Sequence, residues 1–244
     1  MIAVTEQEYW LDGLRVFTHA DWLSRFPGLV QGITARVAEL DFGPSAEDLT
    51  SDGWQQLQAA TGIRRVARCR QVQGADVVLC DGRQHSGVHV VGEADALVTA
   101  GEGLLLGVTV ADCVPVFLVD PERRALGLAH AGWRGIAAGV VEATLARMKE
   151  LGADVASMYA HLGPAICGQC YEVGPEVIRA LGASPARTGR VDLRAHVAQS
   201  SLTAGVAPER VTVSSGCTRC DSDNFYSYRR GDRNRRMCAF LGWS

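Results

Sequence analysis

Residues 104–148 have the sequence LLLGVTVADCVPVFLVDPERRALGLAHAGWRGIAAGVVEATLARM, and this stretch decides the fold. It contains three apolar runs, at Leu104–Val110, at 116–119 and at 125–129. None of them alternates apolar and polar residues as a half-exposed strand does, so we expect three strands that are covered on both faces. The centre of the chain therefore predicts a sheet with packed layers on both sides.

A helix is predicted directly after these strands. Beyond Gly135 the apolar residues recur every three or four positions, which is the period of one face of a helix. They are Ala137, Val141, Leu145 and Met148. Gly152 is expected to end this helix, because glycine readily adopts the left-handed conformation that closes many helices.

Strands and helices also alternate elsewhere, but without a regular βαβ rhythm. The least patterned stretch, 37–58, is expected to be a surface excursion. The other predicted elements are a hairpin over 8–19, strands over 155–161 and Val211–Ser214, and helices over 175–181 and 193–204, the last capped by Asp192. Together they predict one α+β (mixed α/β) domain over residues 1–244, with layered β-sheets flanked by helices.

The composition is that of an ordinary globular protein. Apolar residues make up 47% of the 244 residues, charged residues make up 21%, and the formal net charge is −3, so neither a nucleic-acid nor a membrane partner is expected. No apolar run approaches the roughly 20 residues that cross a bilayer, and the first residues lack the pattern of a signal peptide. The eight cysteines are sparse for a disulfide scaffold, so we expect thiols in a reducing cytoplasm. The sequence leaves the oligomeric state open.

Asp112 and Cys113 form the first motif with chemical potential. They follow the first apolar strand, which Pro115 is expected to stop. A carboxylate and a thiol at a strand end suit an active site. A buried structural cysteine beside a turn aspartate explains the spacing equally well.

The second motif, HAGWRG at 130–135, places His130 and Arg134 at the end of another predicted strand. Its glycines allow the backbone to approach a ligand closely, and the start of the following helix and Arg134 both favour an anion. His130 is a candidate metal ligand or proton carrier. The alternative is a core histidine beside a solvated arginine.

Two further motifs lie towards the end of the chain. Phe225 and Tyr228, next to Arg229, could stack on a planar base and hold an anion, although an amphipathic strand with a basic tip is the simpler interpretation. Two CxxC pairs, Cys167 with Cys170 and Cys217 with Cys220, have the spacing of zinc-ribbon ligands and indicate a potential structural metal site.

Four ordered stretches resemble the YfiH or laccase-domain family, whose members are also called polyphenol oxidases or purine nucleoside phosphorylases. The stretches are ADCVPVFLVD, LAHAGWRGIAAGVVEATLARM, HLGPAICGQCYEVGPEV and CTRCDSDNFYSYRR, and EADALVT at 93–99 fits as well. The likeness runs from about Arg70 to the end of the chain. It implies a YfiH-like layered fold with a Cys–His pocket and a purine nucleoside phosphorylase, with adenosine deaminase activity in some members.

The resemblance also implies a zinc site, with copper as the alternative metal. Its ligands would be Cys113, His130 and the residue at position 73, where the family has histidine and this chain has Gln73. An amide oxygen is a weaker zinc ligand than imidazole. His85 and His89 lie just downstream as potential substitutes.

On this resemblance, a purine nucleoside would bind with its base near Phe225 or Tyr228, and phosphate would bind at Arg134 and Arg229. Asp112 or Asp95 would carry protons, and Asp95 is also a candidate contact to the substrate. Three alternatives stay open: a metal-independent hydrolase with Cys113 as nucleophile and His130 as base, a copper polyphenol oxidase, and a catalytically inactive nucleoside-binding protein.

Overall fold

Two seven-stranded mixed sheets form the body of the protein in a computed structural model, which describes residues 1–37, 40, 42–43, 52–82, 85–182, 184 and 187–244. In spatial order, the first sheet consists of Ile2–Val4 (β1), Val211–Ser214 (β15), Tyr159–Leu162 (β12), Val114–Asp120 (β10), Ala125–Ala131 (β11), Ala96–Ala100 (β8) and Val77–Leu79 (β6). The second consists of Gln7–Leu11 (β2), Leu14–Thr18 (β3), Leu29–Thr34 (β4), Met237–Trp243 (β16), Leu104–Val110 (β9), Arg65–Arg70 (β5) and Gly87–Glu93 (β7).

In the part of the chain that the structure describes, six helices and a separate two-stranded sheet lie outside the two large sheets. The helices are Ala20–Arg25 (α1), Asp52–Thr61 (α2), Trp133–Ala138 (α3), Val140–Glu150 (α4), Pro175–Ala180 (α5) and Leu193–Thr203 (α6), with a 3-10 turn at Pro208–Arg210. Glu172–Val173 (β13) pairs with Gly189–Arg190 (β14). No helix among the described residues is long and apolar enough to cross a bilayer.

The layers follow from which face each apolar side chain occupies. Val116 and Leu118 of β10 pack under α4 and α6, whereas Phe117 and Val119 point the other way, against the second sheet. The outer face of the second sheet is covered by Trp54 of α2. The predicted mixed α/β fold of layered sheets flanked by helices is therefore confirmed, and β10 is buried at all seven positions because it is covered on both faces.

Most predicted elements are present, but several details were wrong. Pro115 does not stop the strand but lies inside β10, opposite His130, where its carbonyl accepts a hydrogen bond from the Gly163 N–H at 2.9 Å. The predicted helix is two helices, because Gly139 adopts a φ of +86° between α3 and α4. The strand expected over 155–161 begins only at Tyr159, after a turn.

The prediction that 37–58 is a surface excursion was also wrong for the part of this stretch that the structure describes. Phe42, Trp54 and Leu57 are fully buried in the cluster on the outer face of the second sheet. Residues 38–39, 41 and 44–51 of this stretch lie outside the described residues. The large apolar residues were too widely spaced in the sequence to indicate a packed helix.

Candidate functional site

The connection between β9 and β10 carries Asp112 and Cys113 from one sheet to the other. β9 belongs to the second sheet and β10 to the first, so the chain crosses between the layers at this point. The crossing is tight: Asp112 has a φ of +86°, a conformation that is uncommon for a residue with a side chain. Backbone strain of this kind often accompanies a functional site.

The pairing of β10 with β11 brings His130 to the same place. Val114 is opposite Ala131, and Pro115 is opposite His130, so Cys113 and His130 lie side by side at the strand ends. Both line a cavity of about 470 Å³. The lining of this cavity also includes Gln73, Asp112, Trp133, Arg134, Tyr171, Tyr228 and Arg229.

Asp95 fixes the orientation of His130. Its Oδ1 lies 2.9 Å from the His130 Nδ1, and its Oδ2 accepts hydrogen bonds from the backbone N–H groups of Val72 and Gly74 at 3.0 and 2.7 Å. Because all three contacts are made by a carboxylate with no exposed surface, Asp95 positions the imidazole. A direct contact between Asp95 and a substrate stays a prediction.

The charges of this group reinforce one another. Burial lowers the pKa of His130, but the Cys113 sulfur and the Asp95 carboxylate outweigh that effect and raise it to about 10. Burial raises the pKa of Asp95, yet hydrogen bonds from His130 and from the Gly74 N–H hold it below its ordinary value. The three side chains therefore form a Cys–His–Asp arrangement in which the imidazole carries a proton and lies between the Cys113 sulfur and the Asp95 carboxylate.

Asp112 is a structural anchor of the cavity wall. Its Oδ1 accepts a hydrogen bond from the Thr218 hydroxyl at 2.7 Å, and its Oδ2 accepts one from the backbone N–H of Arg229 at 2.7 Å. The backbone carbonyl of Asp112 also accepts the Ile166 N–H at 3.0 Å. These contacts join the strand crossing to the two cysteine-containing loops.

The aromatic and basic residues predicted from the sequence separate into two groups. Tyr228, which is 53% exposed, and Arg229 lie at the cavity, whereas Phe225 is buried and packs on Phe17 with the ring centroids 5.0 Å apart. Phe225 does not line the cavity because its apolar ring fills the core beneath this loop, and its contact with a base stays a prediction. Sequence reasoning missed Tyr171, whose signal was its place directly after the CxxC pair.

Tyr171 and Trp133 provide flat surfaces beside the two arginines. The Arg229 guanidinium lies 4.9 Å from the Tyr171 ring centroid, and the Arg134 guanidinium lies 4.2 Å from that of Trp133. Burial raises the pKa of the Tyr171 phenol to about 12, so this group stays a neutral hydrogen-bond donor. The cavity thus contains two guanidinium groups beside aromatic rings, a combination that suits an anion and a planar base.

The donors beside Cys113 and His130 do not fit the three-ligand zinc site that the resemblance implied. Gln73 does face the cavity, but its amide oxygen accepts a hydrogen bond from Arg134 at 3.0 Å. The ring of His89 is hydrogen-bonded to the backbone carbonyl of His85, and neither histidine lines the cavity. A thiolate, an imidazole and an engaged amide are a poor zinc set.

The multi-copper alternative has still less support in the geometry. Among the residues that the structure describes, a single group brings together three or more potential His, Cys, Asp or Glu ligands, and it is Cys167, Cys170, Cys217 and Cys220. That group contains no histidine, and histidine is the usual ligand of copper in oxidases.

Known proteins with a similar sequence carry the names of nucleoside-processing enzymes. The chain is 42% identical over 184 residues to a protein of Streptomyces coelicolor named purine nucleoside phosphorylase SCO2081, covering 72% of this chain and 74% of that one. It is 36% identical over 241 residues to a purine nucleoside phosphorylase of Deinococcus radiodurans, covering 90% and 92%. A protein named adenosine deaminase RL5, from an unknown prokaryotic organism, is 39% identical over 149 residues and covers 56% of each chain.

The fold is shared with solved structures. The crystal structure of the Bacillus licheniformis hypothetical protein YfiH matches with a TM-score of 0.82 at 23% identity, covering 96% of this chain and 98% of that one. The crystal structure of YlmD from Geobacillus stearothermophilus matches with a TM-score of 0.75 at 30% identity, covering 89% and 93%. The family model described as multi-copper polyphenol oxidoreductase laccase matches residues 29–244, and the chain therefore belongs to this laccase-like, YfiH family.

Proposed function

We propose that this protein is a purine nucleoside phosphorylase of the cytoplasm that folds as one domain over residues 1–244. The observation that carries the proposal is the cavity itself, in which Arg134 and Arg229 lie beside aromatic rings and next to the Cys113–His130 pair. The names of the relatives support the same chemistry.

In this reaction an oxygen of inorganic phosphate bonds to the anomeric carbon of the nucleoside while the bond from that carbon to the base breaks. The base leaves with the bonding electrons and takes up one proton, which gives free purine and a sugar 1-phosphate. The two guanidiniums hold phosphate in line with the sugar, since forked donors match its oxygens. The rings of Tyr228 and Tyr171 stack on the base, or their hydroxyl groups form hydrogen bonds with it.

The proton for the departing base comes from the Cys113–His130 pair. His130 is protonated near neutral pH because its pKa is raised to about 10, and Asp95 keeps the ring in one orientation. General acid catalysis of this kind contributes about 10²–10⁴-fold to a rate. Phosphate is assigned to the arginines and not to the helix start expected after Gly135, since α3 already begins at Trp133.

No step of this mechanism requires zinc, because Gln73, which is hydrogen-bonded to Arg134, does not complete a ligand set with Cys113 and His130. Adenosine deamination, which the name of one relative suggests, would require an activated water in the same cavity. It is therefore a secondary activity to be measured on the same protein.

The second candidate is a metal-independent hydrolase. The Asp95–His130 contact of 2.9 Å beside Cys113 favours it, because a carboxylate orients the histidine beside the nucleophilic thiol in the same way in Cys–His hydrolases. In that case alkylation of Cys113 would abolish hydrolysis, and phosphate would not be consumed.

The test is release of free base from adenosine, inosine, guanosine and methylthioadenosine, each with and without phosphate. The phosphorylase proposal predicts phosphate-dependent release that Cys113→Ala abolishes and for which Arg134→Met raises the KM for phosphate. Release without phosphate would favour the hydrolase. Binding of nucleosides without release from any of them would make the protein a binding protein.

A further inference from the structure

Two cysteine-containing turns face each other beside the cavity. One carries Cys167 and Cys170 and the other carries Cys217 and Cys220, and the four sulfur atoms all lie within 4.8 Å of one another. The Cys170 and Cys220 sulfurs are 3.3 Å apart. All eight cysteines of the chain are described, and none of them forms a disulfide.

The two turns have the same internal geometry. The N–H of Tyr171 donates to the carbonyl of Cys167 at 3.1 Å, and the N–H of Asp221 donates to that of Cys217 at 3.0 Å, so each turn closes over five residues. A parallel bridge between Ala165 and Cys217 holds one turn against the other. The Cys167 N–H also points at the Cys217 sulfur at 3.3 Å. Pairs of such turns, each presenting two sulfurs inward, are the usual frame of a tetrathiolate metal site.

The spacing of the sulfurs fits a metal better than a covalent bond. A zinc–sulfur bond of about 2.3 Å in a tetrahedron places the sulfurs about 3.8 Å apart, which the observed cluster brackets. A disulfide would need two sulfurs about 2.05 Å apart and would leave the other pair unused. We propose that Cys167, Cys170, Cys217 and Cys220 bind one structural zinc ion.

The proposed zinc would hold together the wall of the cavity. Tyr171 follows Cys170 directly, and Ile166 and Thr218 each bond to Asp112, the residue next to Cys113. A metal that joins the two turns would therefore keep Tyr171 and Asp112 in place without touching a substrate. The site is independent of the Cys113–His130 pair and of the proposed reaction.

The direct test is metal analysis of the full-length protein purified with a reductant. We expect about one zinc per chain in the wild type and in Cys113→Ser, and a loss of most of it in Cys170→Ser and in Cys220→Ser. Cys113→Ser is the matched control, since it removes a thiol beside the cavity without touching the cluster. Zinc lost from Cys113→Ser and retained by the other two variants would overturn the proposal.

A second measurement covers variants that fail to fold. Cobalt loaded into wild-type protein should give the visible bands and sulfur-to-metal charge transfer of a tetrahedral thiolate site, and titration with a mercurial reagent should release the zinc as the thiols react. Metal-free wild-type protein, an iron site, or a Cys170–Cys220 disulfide found by peptide mapping under reducing purification would each contradict the assignment.

Discussion

Replacing Asp95 with asparagine tests how the cavity holds His130. In the wild type one carboxylate accepts three hydrogen bonds, from the His130 ring and from the N–H groups of Val72 and Gly74. Asparagine has one acceptor oxygen, which stays on the two backbone N–H groups. Its amide nitrogen then faces the His130 Nδ1 and donates to it, which forces the proton onto the other ring nitrogen.

The size of the effect follows from these contacts. A hydrogen bond to a charged group is worth roughly 1.5–3 kcal/mol, against roughly 0.5–1.5 kcal/mol for a neutral one, so three altered bonds cost about 3 kcal/mol of folding free energy. The pKa of His130 should fall well below about 10 because the Asp95 charge is lost. The wrong tautomer should lower kcat by about 10²–10⁴-fold, which is the usual contribution of general acid–base catalysis.

The assay combines steady-state phosphorolysis, chemical denaturation and nitrogen NMR of the imidazole. Asp120→Asn is the matched control: Asp120 is also fully buried and accepts three backbone N–H groups, from Glu122, Arg123 and Asp154, but it lies at the far end of β10. It should lose stability and keep its turnover. Full activity and an unchanged His130 tautomer in Asp95→Asn would refute the reasoning.

Three further predictions concern the metal, the pH dependence and the packing. Gln73→His should bind one additional zinc ion per chain, because an imidazole at position 73 completes the donor set with Cys113 and His130. Histidine tolerates the φ of +59° at this position. Metal analysis checks this, and equal zinc contents in Gln73→His and Gln73→Ala would contradict it. Burial lowers the pKa of His19 from 6.5 to about 4, so the unfolded chain takes up the proton first and stability is lost as the pH falls from 6.5 towards 4. The free energy of unfolding should fall by about 3 kcal/mol over that pH range in the wild type and should not show this fall in His19→Phe. Urea titrations at several pH values measure it, and the same dependence of the free energy of unfolding on pH in both proteins would disprove it. Gly127→Ala would place a methyl group 2.7 Å from the Met148 sulfur and should cost about 1–3 kcal/mol, measured as a lower Tm, whereas Gly101→Ala, with 3.9 Å to its nearest neighbour, should be close to neutral.

Local patterns in the sequence predicted the elements that turn residues or helix caps stabilise and the strands that are fully buried. The hairpin over 8–19, the strands around residues 104–131 and the helix capped by Asp192 are all present. They were predictable because turn residues, continuous apolar runs and an N-cap act over a few neighbouring positions. The helix α2 was missed because its burial depends on partners in the second sheet and not on its own pattern.

The sequence by itself determined which residue types were available: a thiol, an imidazole, two arginines and two pairs of cysteines in ordered stretches. The tertiary structure decided which of them meet. Asp95 reaches His130 from 35 positions away, Thr218 reaches Asp112 from 106, and the cysteine pairs meet across 50. It also sent Phe225 into the core and turned Gln73 towards Arg134. These outcomes depend on strand order and register, which bring together residues far apart in the chain, and no local periodicity specifies them.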